Sequence, residues 1–325
     1  MKAIVPVAGI GSRLRPHTYF LPKVLLNVAG KPILMHILDS LVALNLNEII
    51  IVTGHLGDEV EKFVRKTYDF PIRFVSQTEP LGLGHAIWCG SEHFAGEPLL
   101  IVLGDTIFDA DLNSIVQKDE SVLGVKEVSN PSRFGVVVTN SEGRITRLVE
   151  KPEKFVSNLA IVGIYFIRNS DLLAECLNEL LQKDIKTKGE FQLTDALQMM
   201  IEKGEKFVTV PVEGWYDCGK PETLLETNRF LLSKKPYNKT ISDCVVLPPV
   251  YIDDNAFVSR SVIGPYATIA AGSVVIDSVV RNSIISDGAR VESYLLENSI
   301  IGNSAVVRGS FFQMNVGNSS EINSV

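Results

Sequence analysis

Cysteine is scarce in this chain of 325 residues, and the four present, Cys89, Cys176, Cys218 and Cys244, lie far apart. No two of them form a CxxC pair, which excludes a zinc knuckle and a dithiol redox motif. Four thiols without a pairing pattern suit a reducing compartment. Positive charge is not in excess either. Lys and Arg number 31 against 38 Asp and Glu, a net charge of −7. That balance provides no general attraction to nucleic acid or to an anionic membrane. Any anionic ligand must therefore be held by a local cluster of cations. No apolar run approaches the roughly 20 residues that a membrane helix needs. The opening MKAIVPVAGIGSR reaches Pro6 and Gly9 too soon for a signal peptide. These absences lead us to expect a cytoplasmic protein that binds neither nucleic acid nor membrane.

What is present is the composition of a soluble globular chain, 46% apolar and 21% charged. Its length is comfortable for two domains. The first part alternates strand and helix patterns. Strands are expected at 2–8, 48–54, 72–77 and 99–105, and helices at 32–46, 57–68 and 84–94. Strands rich in Val, Ile and Leu between helices imply an α/β fold, a Rossmann-like, mostly parallel sheet with helices on both faces. The middle is more mixed. Extended segments at 122–128, 134–140, 144–151 and 159–167 precede helices at about 170–183 and 190–203. Segments 206–212 and 214–219 are extended again, and a helix at 221–233 closes the first domain. Residues 234–240, KKPYNKT, form an expected linker.

From 241 to 325 the helical periodicity vanishes and a short repeat takes over. An aliphatic residue is followed by three residues that often include Gly, Asp or Asn, then by a small one. The instances are IDDNA (252–256), IGPYA (263–267), IAAGS (269–273), ISDGA (285–289), IGNSA (301–305) and VGNSS (316–320). Most steps between them fit a three-sided coil of about eighteen residues. Aliphatics would stack inside such a prism, with Gly or Asn at its corners. The pattern resembles the hexapeptide repeat of left-handed parallel β-helices.

Chemistry concentrates first in GIGSRLRPHTYFLPK (9–23), directly after the first strand. Glycines there let backbone N–H groups approach an anion, and Arg13, Arg15 and Lys23 add charge. A dinucleotide fingerprint would need Gly where Leu14 stands, and a P-loop would need Gly-Lys-Ser/Thr. Neither is present. LGD (103–105) ends the expected strand 99–105, so Asp105 stands where ligands of open α/β sheets bind.

GxGxRLxPxT, then PK at 22–23, then GKP at 30–32 resembles the signature of sugar-phosphate nucleotidylyltransferases. The resemblance covers residues 1 to about 233 and is nearest to glucose-1-phosphate thymidylyl- and uridylyltransferases. It implies a reaction between a nucleoside triphosphate, dTTP or UTP, and a sugar 1-phosphate such as glucose 1-phosphate, with Mg2+ as cofactor. Ala8, Gly9, Gly11 and Arg13 would hold the nucleotide. SQTEPLGLGHA (76–86) resembles the base-recognition segment, with Gln77 on the base edge and Gly82 beside it. FGVV (134–137) and EKP (150–152) resemble sugar-site motifs, with Gly135 and Glu150 at the hexose and Lys151 on its phosphate. WYDCG (215–219) resembles a second metal motif, so Asp105 and Asp217 would hold the metal. Arg13, Lys23 and Lys151 would be the catalytic cations. GEFQLTD (189–195) resembles a further family segment in which Asp195 receives no role. Phe134 stands where the family often has Tyr, and Ser12 where it often has Thr.

A sugar phosphate is already largely dianionic at neutral pH, so the implied chemistry needs alignment and charge neutralisation rather than a general base. Two other functions compete with this one. An acyltransferase acting through the β-helix would need a histidine there, yet all five histidines precede residue 94. A non-catalytic sugar-nucleotide sensor would have lost some of Arg13, Lys23, Asp105, Lys151 and Asp217, and all five are present. The tail is expected to mediate homo-oligomer assembly, with SFFQM (310–314) a candidate contact.

Overall fold

A computed structural model of the chain describes residues 1–234, 240–310, 315–317, 319 and 321. It separates into two compact units, Met1–Thr227 and Asn228–Val325. Most of the expected linker 234–240 and of SFFQM (310–314) lies outside the described residues.

The first unit is built on a nine-stranded mixed sheet. Its parallel part joins Leu99–Val102, Lys2–Pro6, Glu48–Thr53 and Ile72–Ser76, in that spatial order. The helices Ile33–Val42, Gly57–Thr67 and Leu83–Cys89 lie between these strands in the chain. The rest of the sheet is largely antiparallel: Leu159–Ile167 pairs with Leu99–Val102, Ser121–Glu127 and Gly135–Thr139. Alternate residues of a strand face opposite sides of the sheet. Ile4, Ile50 and Ile101 enter a core shared with the helices Leu83–Cys89, Ser170–Gln182 and Leu193–Glu202. Their neighbours Ala3, Val5, Ile49, Ile51 and Leu100 are also fully buried. Both faces are therefore covered, as the continuous aliphatic strands imply. Each such side chain contributes about 1.5–3 kcal/mol by leaving water.

Two expected elements change shape. The helix expected at 84–94 is two helices, Leu83–Cys89 and Ser91–Phe94, broken at Gly90. The strand expected at 99–105 ends at Val102, so Leu103, Gly104 and Asp105 form the turn beyond its carboxyl end. The chain then reverses into Thr106–Asp109, which pairs with Gly214–Asp217 and sets Asp217 opposite Thr106.

The second unit contains three four-stranded parallel sheets, the arrangement of a left-handed β-helix. Ile252, Ile269, Ile285 and Ile301 stand in one register, and Val258, Val275, Val291 and Val307 in another. Most of these side chains form the core of the prism. The coil is shorter than the repeat suggested. Val250 pairs with Ala267, seventeen residues on, and Thr268 with Ile284, sixteen on. Gly272, Gly288 and Ser304 turn equivalent corners in left-handed backbone.

Candidate active site

Two cavities open beyond the carboxyl ends of the parallel strands and share Leu83, Leu103 and Asp105 as lining. The first, about 430 Å³, is lined by Ala8, Gly9, Gly11, Lys23, Gln77, Gly82 and others. The second, about 440 Å³, is lined by Arg13, Gly135, Glu150, Lys151, Asp217 and others. Every site residue expected from sequence thus lines one cavity or the other, and Asp105 lines both. Arg13, expected on the nucleotide, lines the second cavity. A methyl group at Gly219 would lie 2.7 Å from Arg13 Nη2 and 2.8 Å from Asp217 Oδ1, so both side chains converge on that point.

The glycine-rich loop ends in two short 3-10 turns, Ser12–Leu14 and His17–Tyr19. A third, Lys23–Leu25, follows Pro22 and buries Lys23, whose side chain is 7% exposed. Its Nζ donates to Asp105 Oδ2 at 2.7 Å. Asp105 is 42% exposed on its side chain, open towards the cavities. Burial pushes its carboxyl pKa up, but Lys23 and the Thr106 hydroxyl together outweigh this and hold it below the ordinary value. Cys218 donates its backbone N–H to Asp105 O, which ties the WYDCG segment to the turn that carries Asp105. Burial pushes the Cys218 thiol up to about 12, so it stays protonated and is no nucleophile at neutral pH.

The second cavity is organised around Glu150. Its Oε2 accepts from Thr194 Oγ1 at 2.7 Å, and its Oε1 lies 3.5 Å from Lys151 Nζ. Lys151 sits in left-handed backbone, φ 43°, and donates its N–H to Phe134 O at 3.0 Å. Gly135 is required by space. A Cβ there would lie 2.9 Å from both Glu150 Oε2 and Thr194 Oγ1. Phe134 and Trp215 meet edge to face, ring centroids 4.8 Å apart, at the cavity wall.

Thr194, Gln192, Tyr165 and Trp215 also line this cavity, and sequence reading assigned them nothing. Thr194 and Gln192 belong to GEFQLTD and Trp215 to WYDCG, so the motifs marked their neighbourhood without marking them. Asp195 lines neither cavity, and burial raises its pKa.

Among the described residues no group of three or more His, Cys, Asp or Glu converges as a metal cage. Asp105 and Asp217 nonetheless line one cavity from adjoining segments. Two carboxylates, with phosphate and water oxygens completing the shell, suit a magnesium-type cation, which rarely takes an all-protein cage.

A mixed α/β sheet with paired cavities at its strand ends, a cationic glycine-rich loop and two carboxylates defines a nucleotide-handling enzyme class. Residues 2–234 match the family described as Nucleotidyl transferase, and the chain belongs to that family of sugar-phosphate nucleotidyltransferases. It is 30% identical over 323 residues to the glucose-1-phosphate thymidylyltransferase of Streptomyces antibioticus, covering 95% of this chain and 89% of that one. It is 34% identical over 254 residues to the low-salt glycan biosynthesis nucleotidyltransferase Agl11 of Haloferax volcanii, 75% and 70% of the two chains. It is 35% identical over 323 residues to the bifunctional protein GlmU of Methanocaldococcus jannaschii, 97% and 74% of the two. Among solved structures it resembles a UDP-glucose pyrophosphorylase complexed with UDP-glucose, with a TM-score of 0.62 and 26% identity over 72% of this chain and 99% of that one.

Proposed function

We propose that this enzyme transfers a nucleotidyl group from dTTP or UTP to glucose 1-phosphate, releasing pyrophosphate. The observation that carries this reading is the meeting of the two cavities at Asp105. One offers a glycine-rich loop and a buried carboxamide, Gln77. The other offers Glu150 for hydroxyls and Lys151 for a phosphate. A phosphate oxygen of the sugar 1-phosphate attacks the α-phosphorus of the triphosphate. The bond from that phosphorus to the oxygen bridging towards the β-phosphate breaks, and pyrophosphate leaves with its electron pair. Lys151 positions the nucleophile, while Lys23 and Arg13 neutralise the anionic phosphates. No covalent enzyme intermediate is needed.

Enzymes of this family generally use a divalent metal. In this reading Asp105 and Asp217 hold Mg2+, which when bound neutralises phosphate charge. Four free cysteines support a cytoplasmic setting, and no helix among the described residues is long and apolar enough to cross a membrane. The second unit carries a homo-oligomer contact in this reading. Its support is a column of outward aliphatics, Val245, Val262, Val279 and Leu295, in one register.

The deciding experiment measures pyrophosphate release across five nucleoside triphosphates and several hexose 1-phosphates with magnesium. Release with dTTP or UTP and glucose 1-phosphate is expected. Silence across the whole panel from folded protein would sink the reading.

A further inference from the structure

Gln77 follows the strand Ile72–Ser76 and is almost fully buried, 7% exposed. Its Nε2 lies 3.0 Å from the carbonyl oxygen of Gly82 and 3.0 Å from Nδ1 of His85. A carbonyl oxygen can only accept, so the amide atom facing Gly82 is the nitrogen. That nitrogen donates its second hydrogen towards Nδ1 of His85, which must then be the bare, accepting nitrogen of the ring. The ring proton sits on Nε2, 3.9 Å from Cys89 Sγ, a soft acceptor.

His85 is held firmly in this role. It lies in the buried helix Leu83–Cys89, stacked on Trp88 with centroids 5.8 Å apart and planes 22° apart. Burial lowers its pKa and so favours the neutral ring, outweighing the Glu79 carboxylate and backbone carbonyl, which pull the other way. Gly82, with φ 116°, brings its carbonyl to the amide in backbone that side chains resist. Both N–H groups of Gln77 are therefore committed inside the protein. Its Oε1 accepts from no partner among the described residues. Gln77 lines the first cavity, so that oxygen is what it offers a ligand there. A free carboxamide would present donor and acceptor alike; this one is restricted to accepting.

We infer that His85 is a positioning residue that fixes the Gln77 amide with its oxygen towards the ligand, so that the site takes bases bearing a ring N–H. The N3–H of uracil and thymine and the N1–H of guanine satisfy it. Cytosine and adenine present a bare ring nitrogen at that edge, and two acceptors then face each other. This rests on the nucleotidyl-transfer reading and sharpens its base specificity.

The test is equilibrium binding of UTP, GTP, CTP and ATP, with magnesium, to the full chain, read alongside turnover. UTP should bind at least about 100-fold more tightly than CTP, a ratio within reach of one buried polar mismatch. His85→Phe keeps the ring stacked on Trp88 but removes the acceptor. It should narrow the UTP-to-CTP ratio at least about 10-fold, chiefly through weaker UTP binding. His85→Asn places Oδ1 where Nδ1 was and should restore the ratio. Equal losses for UTP and CTP in His85→Phe, with the ratio unchanged, would overturn the inference and leave His85 a merely structural residue. Equal binding of UTP and CTP by the wild type would overturn it too. Nitrogen-15 NMR of the histidine rings gives a readout independent of nucleotide. An Nε2–H tautomer at His85 is expected, and an Nδ1–H tautomer overturns the inference. If UTP is selected over CTP but no pyrophosphate is released with any sugar phosphate, the transfer reading fails while the base inference stands.

Discussion

Nζ of Lys23 lies 2.7 Å from Oδ2 of Asp105, 82 positions further along the chain. The pair joins the glycine-rich loop to the turn beyond the central strand. Each group has a second calling in the proposed reaction, Lys23 towards phosphate and Asp105 towards a cation. The ion pair satisfies both until substrate arrives, and it keeps a buried ammonium from standing alone.

The two aspartates proposed to hold the metal should therefore behave differently. Asp105→Asn and Asp217→Asn are each expected to cut turnover roughly 10²- to 10³-fold, the loss typical of a major electrostatic stabiliser. Only Asp105→Asn strips the counter-charge from Lys23, whose side chain is 7% exposed. It should cost about 2 kcal/mol of stability, while Asp217→Asn leaves the denaturant midpoint almost unchanged. Steady-state kinetics and denaturant titration of both variants check this. Wild-type turnover in either would remove that residue from the metal site.

The Glu150 cluster gives the second expectation. A Cβ at Gly135 would press on Glu150 Oε2 and Thr194 Oγ1 at 2.9 Å. Gly135→Ala should raise KM for the sugar phosphate by roughly 100-fold, because a displacement of about 1 Å in a positioning group costs that much. Thr194→Val keeps the shape and deletes the hydroxyl that holds Glu150 at 2.7 Å. It should raise the same KM about ten-fold. KM for the nucleotide should hardly move in either variant. If it moves as much as KM for the sugar phosphate, the two cavities do not divide the substrates as proposed.

These residues also show what was legible in the sequence. Lys151 and Asp105 announced themselves because charge at a strand end, in a recognisable segment, is a local signal. Thr194 and His85 did not, because each acts through a partner brought close only by folding: Thr194 through Glu150, 44 positions away, and His85 through the amide of Gln77. The break at Gly90 was hidden in the same way, since helical spacing of apolar residues runs on through a kink. The repeat revealed the β-helix, yet its start-to-start spacings blurred a coil of seventeen and sixteen residues into one nearer eighteen. Pairing register is a property of neighbouring coils and is invisible in any single one.

His85 supplies an expectation in pH. Burial lowers its folded-state pKa below the ordinary 6.5, with the Glu79 carboxylate and carbonyl pulling the other way. A group with a depressed folded pKa contributes stability that is fully present above its unfolded value. That contribution is lost as pH falls from about 6.5 towards the folded value, because the unfolded chain binds the proton first. The stability difference between wild type and His85→Asn should therefore shift against the wild type below about pH 6.5. The slope should be at most about 1.4 kcal/mol per pH unit. Denaturant midpoints from pH 8 to pH 5 measure it. A difference that is flat across this range, or that moves the other way, would show that the ring is not kept neutral by burial.

The outward column of the β-helix carries the last expectation. Val245, Val262, Val279 and Leu295 occupy one register on successive coils, and Leu295 is 77% exposed. Aliphatics in that position add nothing to the interior of the prism, which is filled by Ile263, Val280 and Leu296 on the same strands. Water-facing strands of a soluble protein are usually blunted with charge, and Arg281 and Glu297 do this one position away from Val280 and Leu296. A straight aliphatic row beside them suits contact with a second copy of the chain, whose burial is favourable by about 25 cal/mol per Å². Leu295→Arg places a charge at the end of that row, on its most exposed residue, and should leave the folded unit intact. Light scattering of the full chain should give a mass above the 35.7 kDa of one chain for wild type, and a mass near that value for the variant. A wild-type mass already equal to one chain refutes self-association. An assembled wild type that is indifferent to Leu295→Arg moves the contact away from this column.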